Sequence, residues 1–197
     1  MSTLAKFTSA DLECFPDDGK RYELIEGELH VSKQPGWDHQ FTCTQLSYYL
    51  NLWIHTSGTG TVVFAPELLF ADDDDVVPDV VWISHEQLQT SLESDRKLHE
   101  APELVIEVLS PGTLNERRDR QTKLKLYSRR GVHEYWIVDC QRHHVEIHRR
   151  EEGALKLAGT FFPQDELKSP LLPGFSCTIE NLFFDLWRKK QPTKKER

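Results

Sequence analysis

Apolar and polar positions follow one another in short runs whose period changes along the chain. Residues 20–33, K-R-Y-E-L-I-E-G-E-L-H-V-S-K, alternate in the manner of two short strands around a Glu26-Gly27 turn, which predicts a hairpin. Phe41, Leu46, Leu50 and Trp53 then recur at three- to five-residue intervals, the spacing of an amphipathic helix of about five turns ending near Gly58. Strand-like runs follow at residues 61–64, 67–71, 79–83 and 104–109. The acidic run at 72–75 lacks the alternating ligands, central glycine and terminal glutamate of a calcium loop and reads as a solvated turn.

A second helix is marked at both ends. Thr113 and Glu116 form a T-x-x-E capping box, Gly131 stands where a left-handed C-cap belongs, and Arg129 and Arg130 suit the negative end of the helix. Strands at 134–139 and 143–149, joined by C-Q-R, precede an extended piece near 155–161 and a short closing helix over 179–187. This order predicts an α/β (α+β) fold, a mixed central sheet flanked by helices. No repeat and no Gly/Ser- or Pro-rich linker divides the chain. It reads as one domain over 1–187 with a basic, disordered, solvated tail at 188–197.

Composition narrows the class. The 38% apolar and 10% aromatic content supplies a core, and no run approaches the ~20 apolar residues of a membrane span. The first residues lack the basic region and apolar run of a signal peptide, so a cytoplasmic location is expected. Cys14, Cys43, Cys140 and Cys177 are scattered without disulfide or zinc spacing and read as buried thiols. The net charge is -8, but the last ten residues carry +5, leaving -13 for the body. A body that acidic does not bind nucleic acid through bulk electrostatics, so phosphate chemistry requires a local site.

Such a site has candidates. Asp79 opens V-V-P-D-V-V-W-I, and Glu107 lies within the otherwise apolar L-V-I-E-V-L. A carboxylate in a strand apolar on both faces is costly to bury without a metal ion, a basic side chain or a proton. Asp79 on a neighbouring strand facing the same way would make a two-carboxylate metal site; a salt bridge for structure alone is the other reading. Asp119, Lys123 and Tyr127 are spaced four apart on the capped helix and share a broad face. Turned to the sheet, that face brings an ammonium to the carboxylates; turned outward, it is an exposed Asp119–Lys123 pair over a core tyrosine.

The segments P-D-V-V-W-I, A-P-E-L-V-I-E-V-L-S-P-G-T and D-R-Q-T-K-L-K-L-Y-S-R-R-G-V-H-E-Y-W-I-V-D, in that order, resemble the Uma-type restriction endonuclease family of the PD-(D/E)XK nuclease superfamily. The likeness runs from R-Y-E-L-I-E-G-E-L, near Arg21, to about Trp187, after L-P-G-F-S. It implies a restriction-endonuclease-like fold, with Asp79 and Glu107 holding a catalytic magnesium or manganese ion. Leu109 stands where the superfamily's E-x-K strand carries lysine, and the match to D-x-x-x-K-x-x-x-Y makes Lys123, rather than Lys125, its substitute. Glu23 resembles a further acidic position of the site, and alternation alone would also place a charge there. Asp119 and Tyr127 are expected as supports.

The implied function is metal-dependent hydrolysis of DNA phosphodiesters, with a homodimer a natural way to meet two strands and no membrane partner. The rival is a non-catalytic nucleic-acid-binding or interaction module on the same fold. His39 reads as structural. His143, His144 and His148 lack H-E-x-x-H spacing, and Ser110 in L-S-P-G-T is no nucleophile elbow.

Overall fold

The structure is a computed structural model and describes residues 6–110 and 112–184, without the side chains of Thr113 and Leu114. The capping threonine, residues 185–187 of the expected closing helix and the basic tail lie outside the described residues. A short helix, α1 (Ser9–Leu12), leads to the hairpin β1 (Arg21–Ile25) and β2 (Glu28–Ser32). Glu26 and Gly27 both take positive φ, 54° and 76°. That is the two-residue turn whose twist matches the flanking strands. Helix α2 (Trp37–Ser57) ends at Gly58 in the left-handed conformation, as its spacing predicts. Next come β3 (Thr61–Phe64), β4 (Leu68–Ala71), β5 (Asp74–Val76), β6 (Val80–Ile83), α3 (His85–Ser91) and β7 (Leu104–Val108).

The second marked helix is three pieces in one run: α4 (Thr113–Arg117), a π-helical segment (Arg118–Lys123) and α5 (Leu124–Arg130), closed by left-handed Gly131. The chain continues through β8 (Glu134–Asp139), β9 (His144–Glu151), β10 (Ala154–Phe161) and the short pair β11 (Glu166–Leu167) and β12 (Cys177–Thr178). A single 3-10 turn, Ile179–Leu182, stands where the closing helix is expected.

The central sheet has six strands in the order β10-β9-β8-β7-β6-β3, antiparallel except for the β7–β8 pair. Its two faces are legible as alternation. Val80, Trp82, Leu104, Ile106, Val108, Trp136 and Val138 pack with Cys43, Leu46, Leu50 and Trp53 of α2. Val81, Ile83, Val105, Tyr135 and Ile137 pack on the other side with Leu126 and Tyr127 of α5. A separate four-stranded sheet, β2-β1-β5-β4, contributes Ile25, Leu68 and Val76 to that second cluster. The sequence gives no warning of this second sheet, because strand periodicity marks strands and their faces but not which strands pair. The chain passes between the two sheets at Val77-Pro78-Asp79, and Pro78 has no N–H to continue a ladder.

Two sequence expectations change. Only Asp72 and Asp73 form the turn at the acidic run; Asp74 and Asp75 enter β5 and are buried. Guanidiniums from the far end of α5 meet Asp74, while Ser9 and Lys97 meet Asp75, and no local pattern announces a partner 55 residues away. Of the cysteines, Cys43, Cys140 and Cys177 are buried, but Cys14, just past α1, is exposed. Among the described residues no helix is long and apolar enough to cross a membrane.

Candidate active site

Asp79 and Glu107 come together through strand register. Val80 pairs with Ile106 across β6 and β7, so one step along each strand sets Asp79 beside Glu107. By alternation both belong to the face of Val81 and Val105, which is covered by the helical run and the smaller sheet. The contact is direct: the Val108 N–H donates to Asp79 Oδ2 at 2.9 Å. Arg21 Nη1 donates to Asp79 Oδ1 at 3.1 Å, and His39 Nε2 lies 3.1 Å from Oδ2.

The helical run meets Glu107 from above. Lys123 Nζ and Tyr127 Oη each donate to Glu107 Oε1 at 2.8 Å. Lys123 Nζ also lies 2.8 Å from Glu23 Oε1, so one ammonium clamps a carboxylate from each sheet. The Val77 N–H donates to the same Glu23 oxygen, while Glu23 Oε2 is buried without a hydrogen bond and has Arg118 Nη1 at 3.7 Å. The π-helical segment turns both Asp119 and Lys123 inward, and Arg118 Nε donates to Asp119 Oδ1 at 3.1 Å. Such widened turns are over-represented at functional sites. Lys125, two positions on, is exposed.

Four carboxylates, Glu23, Asp79, Glu107 and Asp119, thus share a buried region with Arg21, Arg118 and Lys123. Burial pushes Glu107 up to about 8; Lys123 opposes this, and the charges of Asp79, Asp119 and Glu23 add to it. Burial and the surrounding carboxylates thus favour the protonated form of Glu107, and Lys123 favours the charged one. Burial also raises Asp119, against Lys123 and Arg118. For Asp79 burial acts upward too, but His39, Arg21 and Lys123 outweigh it and keep the carboxylate charged. Burial would lower Lys123, yet Glu107 and Glu23 outweigh it and hold the ammonium charged.

The Asp79, Glu107 and Asp119 carboxylates line a cavity of about 20 Å³ with Arg21, His39 and Arg118. That is room for about one water or one ion. Hard oxygen donors around so small a space suit magnesium or manganese, and a divalent cation would favour the charged form of Glu107. His39, Cys43 and Asp79 also form a group close enough to hold a metal ion, with ligand atoms within 4.8 Å of one another. Its geometry is poorer. Asp79 faces Nε2 of His39 while the Cys43 sulfur sits at 3.5 Å from Nδ1, on the other side of the ring. Burial, with Asp79 and Glu107 nearby, keeps the Cys43 thiol protonated, so this is a hydrogen-bonded chain supporting Asp79.

Every residue singled out in the sequence converges here, but not in equal standing. Asp79, Glu107 and Asp119 face the cavity, whereas Lys123, Tyr127 and Glu23 stand behind Glu107. The outward-facing Asp119–Lys123 pair is excluded, since both side chains are buried. Sequence reasoning missed Arg21, His39 and Arg118. Arg21 could have been found, being two residues before Glu23 on one strand and so on the same face. His39 is one turn before Cys43 and extends the buried stripe of α2; that signal was read as structural. Arg118 carries no sequence signal beyond its neighbour. His148 is buried in the sheet beside Tyr135, and His143 stacks on Phe183, both away from the site.

A mixed sheet with paired carboxylates at the end of adjacent strands and a lysine-bearing helix over them defines a restriction-endonuclease-like α+β protein. The chain belongs to the Uma2 family, described as "Putative restriction endonuclease", which it matches over residues 9–180. The fold is shared with the crystal structure of "a putative nuclease belonging to DUF820" from Anabaena variabilis ATCC 29413. That protein is 17% identical, with a TM-score of 0.72 over 90% of this chain and 97% of that chain. No curated protein matches the sequence.

Proposed function

We propose that the chain is a cytoplasmic, metal-dependent endonuclease that hydrolyses DNA phosphodiester bonds. The observation that carries this reading is the small cavity where Asp79, Glu107 and Asp119 meet two guanidiniums. Asp79 and Glu107 would hold magnesium, or manganese in its place, which would supply a Lewis acid for the phosphate and a water of lowered pKa. Asp79 is fixed for this by the Val108 N–H and His39. Lys123 and Tyr127 orient Glu107, so Lys123 acts as a positioning residue rather than by reaching the phosphate itself. Glu23 anchors Lys123. Arg21 and Arg118, which line the cavity, set positive charge where the non-bridging phosphate oxygens gather charge during attack. Supercoiled plasmid with magnesium tests the assignment. Asp79→Asn should lower cleavage by at least about a hundredfold, as loss of a metal-site group does. Nicking by the variant at the wild-type rate would remove Asp79 from the reaction.

One observation favours a non-catalytic nucleic-acid-binding or interaction module: both oxygens of Asp79 already have protein partners, Arg21 on one and Val108 and His39 on the other. Metal affinity separates the two. The nuclease reading expects millimolar to micromolar magnesium binding by calorimetry, because two carboxylates leave most of the six positions to water and phosphate. It expects none by Asp79→Ala. Heats that are the same for both proteins favour the module.

A further inference from the structure

We propose that the strand to be cut enters this site as a single strand, laid in a groove that passes over the cavity and ends at the exposed ring of Phe64. The inference rests on the nuclease reading for the fate of the strand, though not for its binding. Asp79 and Glu107 are each only 2% exposed, and the opening above them is bounded by Arg21, Lys33, Pro35, Ser110 and Arg118. Two larger hollows flank that opening. One, of about 340 Å³, is lined by Lys20, Arg21, Gln40 and Phe64; the other, of about 450 Å³, by Ser32, Gly36, Ser110, Asn115 and Arg118. Lys33 and Pro35, in the loop between β2 and α2, border all three, Arg21 is shared by the first hollow and the opening, and Ser32, Ser110 and Arg118 by the second, so the two hollows adjoin the opening on either side.

The path has the two ingredients of single-strand recognition. Basic side chains follow it: Lys33 is exposed at its centre, Arg21 and Arg118 stand at the opening paired with Asp79 and Asp119, and Lys20 stands at one end paired with Asp18. An aromatic face closes it, because Phe64 is 48% exposed at the end of the edge strand β3. Bases stack on such rings with little regard to sequence. The Arg118 Nη1 to Ser32 Oγ hydrogen bond, 2.6 Å, ties the helical run to β2 and fixes the width of the path at that side. A duplex suits the site poorly. It is stiff over a length of about 150 base pairs, so it cannot turn one phosphate into a recess this narrow without bending, and the -13 body offers no broad basic surface to drive the bend. A single strand bends at each nucleotide and needs no second subunit.

The test uses the full chain and a dye-labelled oligodeoxynucleotide, the same strand annealed to its complement, and its RNA counterpart, with calcium in place of magnesium during binding. The single strand should bind at least about tenfold tighter than the duplex. Phe64→Ala should weaken it by about tenfold, the effect of losing one stacked base, while Leu157→Ala, at a more exposed apolar residue on β10, should not. Lys33→Ala should flatten the salt dependence by about 0.7 in the log–log slope. DNA and RNA strands bound alike assign recognition to bases and phosphates; a preference for either assigns it to the sugar. Duplex bound as tightly as the single strand, no single-strand binding, or equal effects of Phe64→Ala and Leu157→Ala each overturn the proposal. Duplex cleaved faster than single strand overturns it and leaves the nuclease reading standing. Phe64-dependent single-strand binding without cleavage in magnesium or manganese does the reverse.

Discussion

Asp74 and Glu107 are buried to nearly the same degree, 1% and 2% exposed, and both are met by side chains of the helical run at residues 118–130. Arg129 donates to both oxygens of Asp74, Arg130 donates to Oδ2, and the Glu26 N–H donates to Oδ1. Burial would raise this carboxyl, but that N–H and the two guanidiniums outweigh it and hold it below the usual carboxylate range. Glu107 has one ammonium, shared with Glu23, and three other carboxylates around it against the guanidiniums of Arg21 and Arg118, so four acids meet three bases, and burial carries Glu107 up to about 8. The difference lies in the ratio of acids to bases. At Asp74 the charge is closed, and the knot pins the hairpin turn and β5 to the end of α5. Around Glu107 acid is in excess, which leaves capacity for one more cation.

The harshest way to break this comparison is to remove Lys123. Lys123→Ala leaves Glu23 and Glu107 buried without their shared partner and should cost about 3–5 kcal/mol in urea unfolding. Lys125→Ala, on the exposed side of the helix, should leave the midpoint unchanged. A lysine read from sequence as a helix-surface residue would be expected to spare the fold; its complete burial reverses that expectation. A Lys123→Ala midpoint equal to wild type would mean that the two glutamates are held by something other than this ammonium.

A gentler pair of substitutions tests the charge states themselves. Asp74→Asn removes a charged acceptor from two guanidiniums and should cost about 1.5–3 kcal/mol. Glu107→Gln replaces a group whose burial favours the neutral form and should cost less than about 1 kcal/mol. Equal costs for the two would show that Glu107 is ionised in the free protein and that the two clusters are alike. Magnesium sharpens the contrast. At a hundredfold excess over its Kd it should stabilise the wild type by about 2.7 kcal/mol, and Asp74→Asn by as much above its own baseline, while Glu107→Gln should gain little.

The same comparison explains what could be read from the sequence. Glu107 was visible because it interrupts an apolar strand, Asp79 because it begins another, and Lys123 and Tyr127 because helical spacing stacks them. Each signal is local and periodic. Asp74 was misread as solvated because the arginines that permit its burial lie on a helix far along the chain, and Arg129 and Arg130 were already accounted for as C-terminal charges. The division into two sheets escaped notice for a related reason: strand periodicity identifies strands and their faces, whereas which strands pair is decided by contacts distant in sequence. The π-helical segment was equally hidden, since Asp119 and Lys123 share a face at ordinary helical spacing too and nothing local marks the widened turn that carries them.

The smallest effect expected is in pH dependence. Because the folded carboxyl of Asp74 is depressed, its contribution is fully present above roughly 3.9, the value of an unfolded aspartate, and is lost as pH falls through the lower folded value. The wild type binds fewer protons folded than unfolded in that window, so its stability drops on acidification. Asp74→Asn has no proton to take up there and lacks this share of the drop. Urea midpoints at successive pH values from 6 down to 3 should therefore bring the two proteins together, most of the change falling below pH 4. A gap that stays constant to pH 3 would mean that the asparagine costs stability through geometry alone, and the arginine knot would then owe its strength to hydrogen-bond placement rather than to charge.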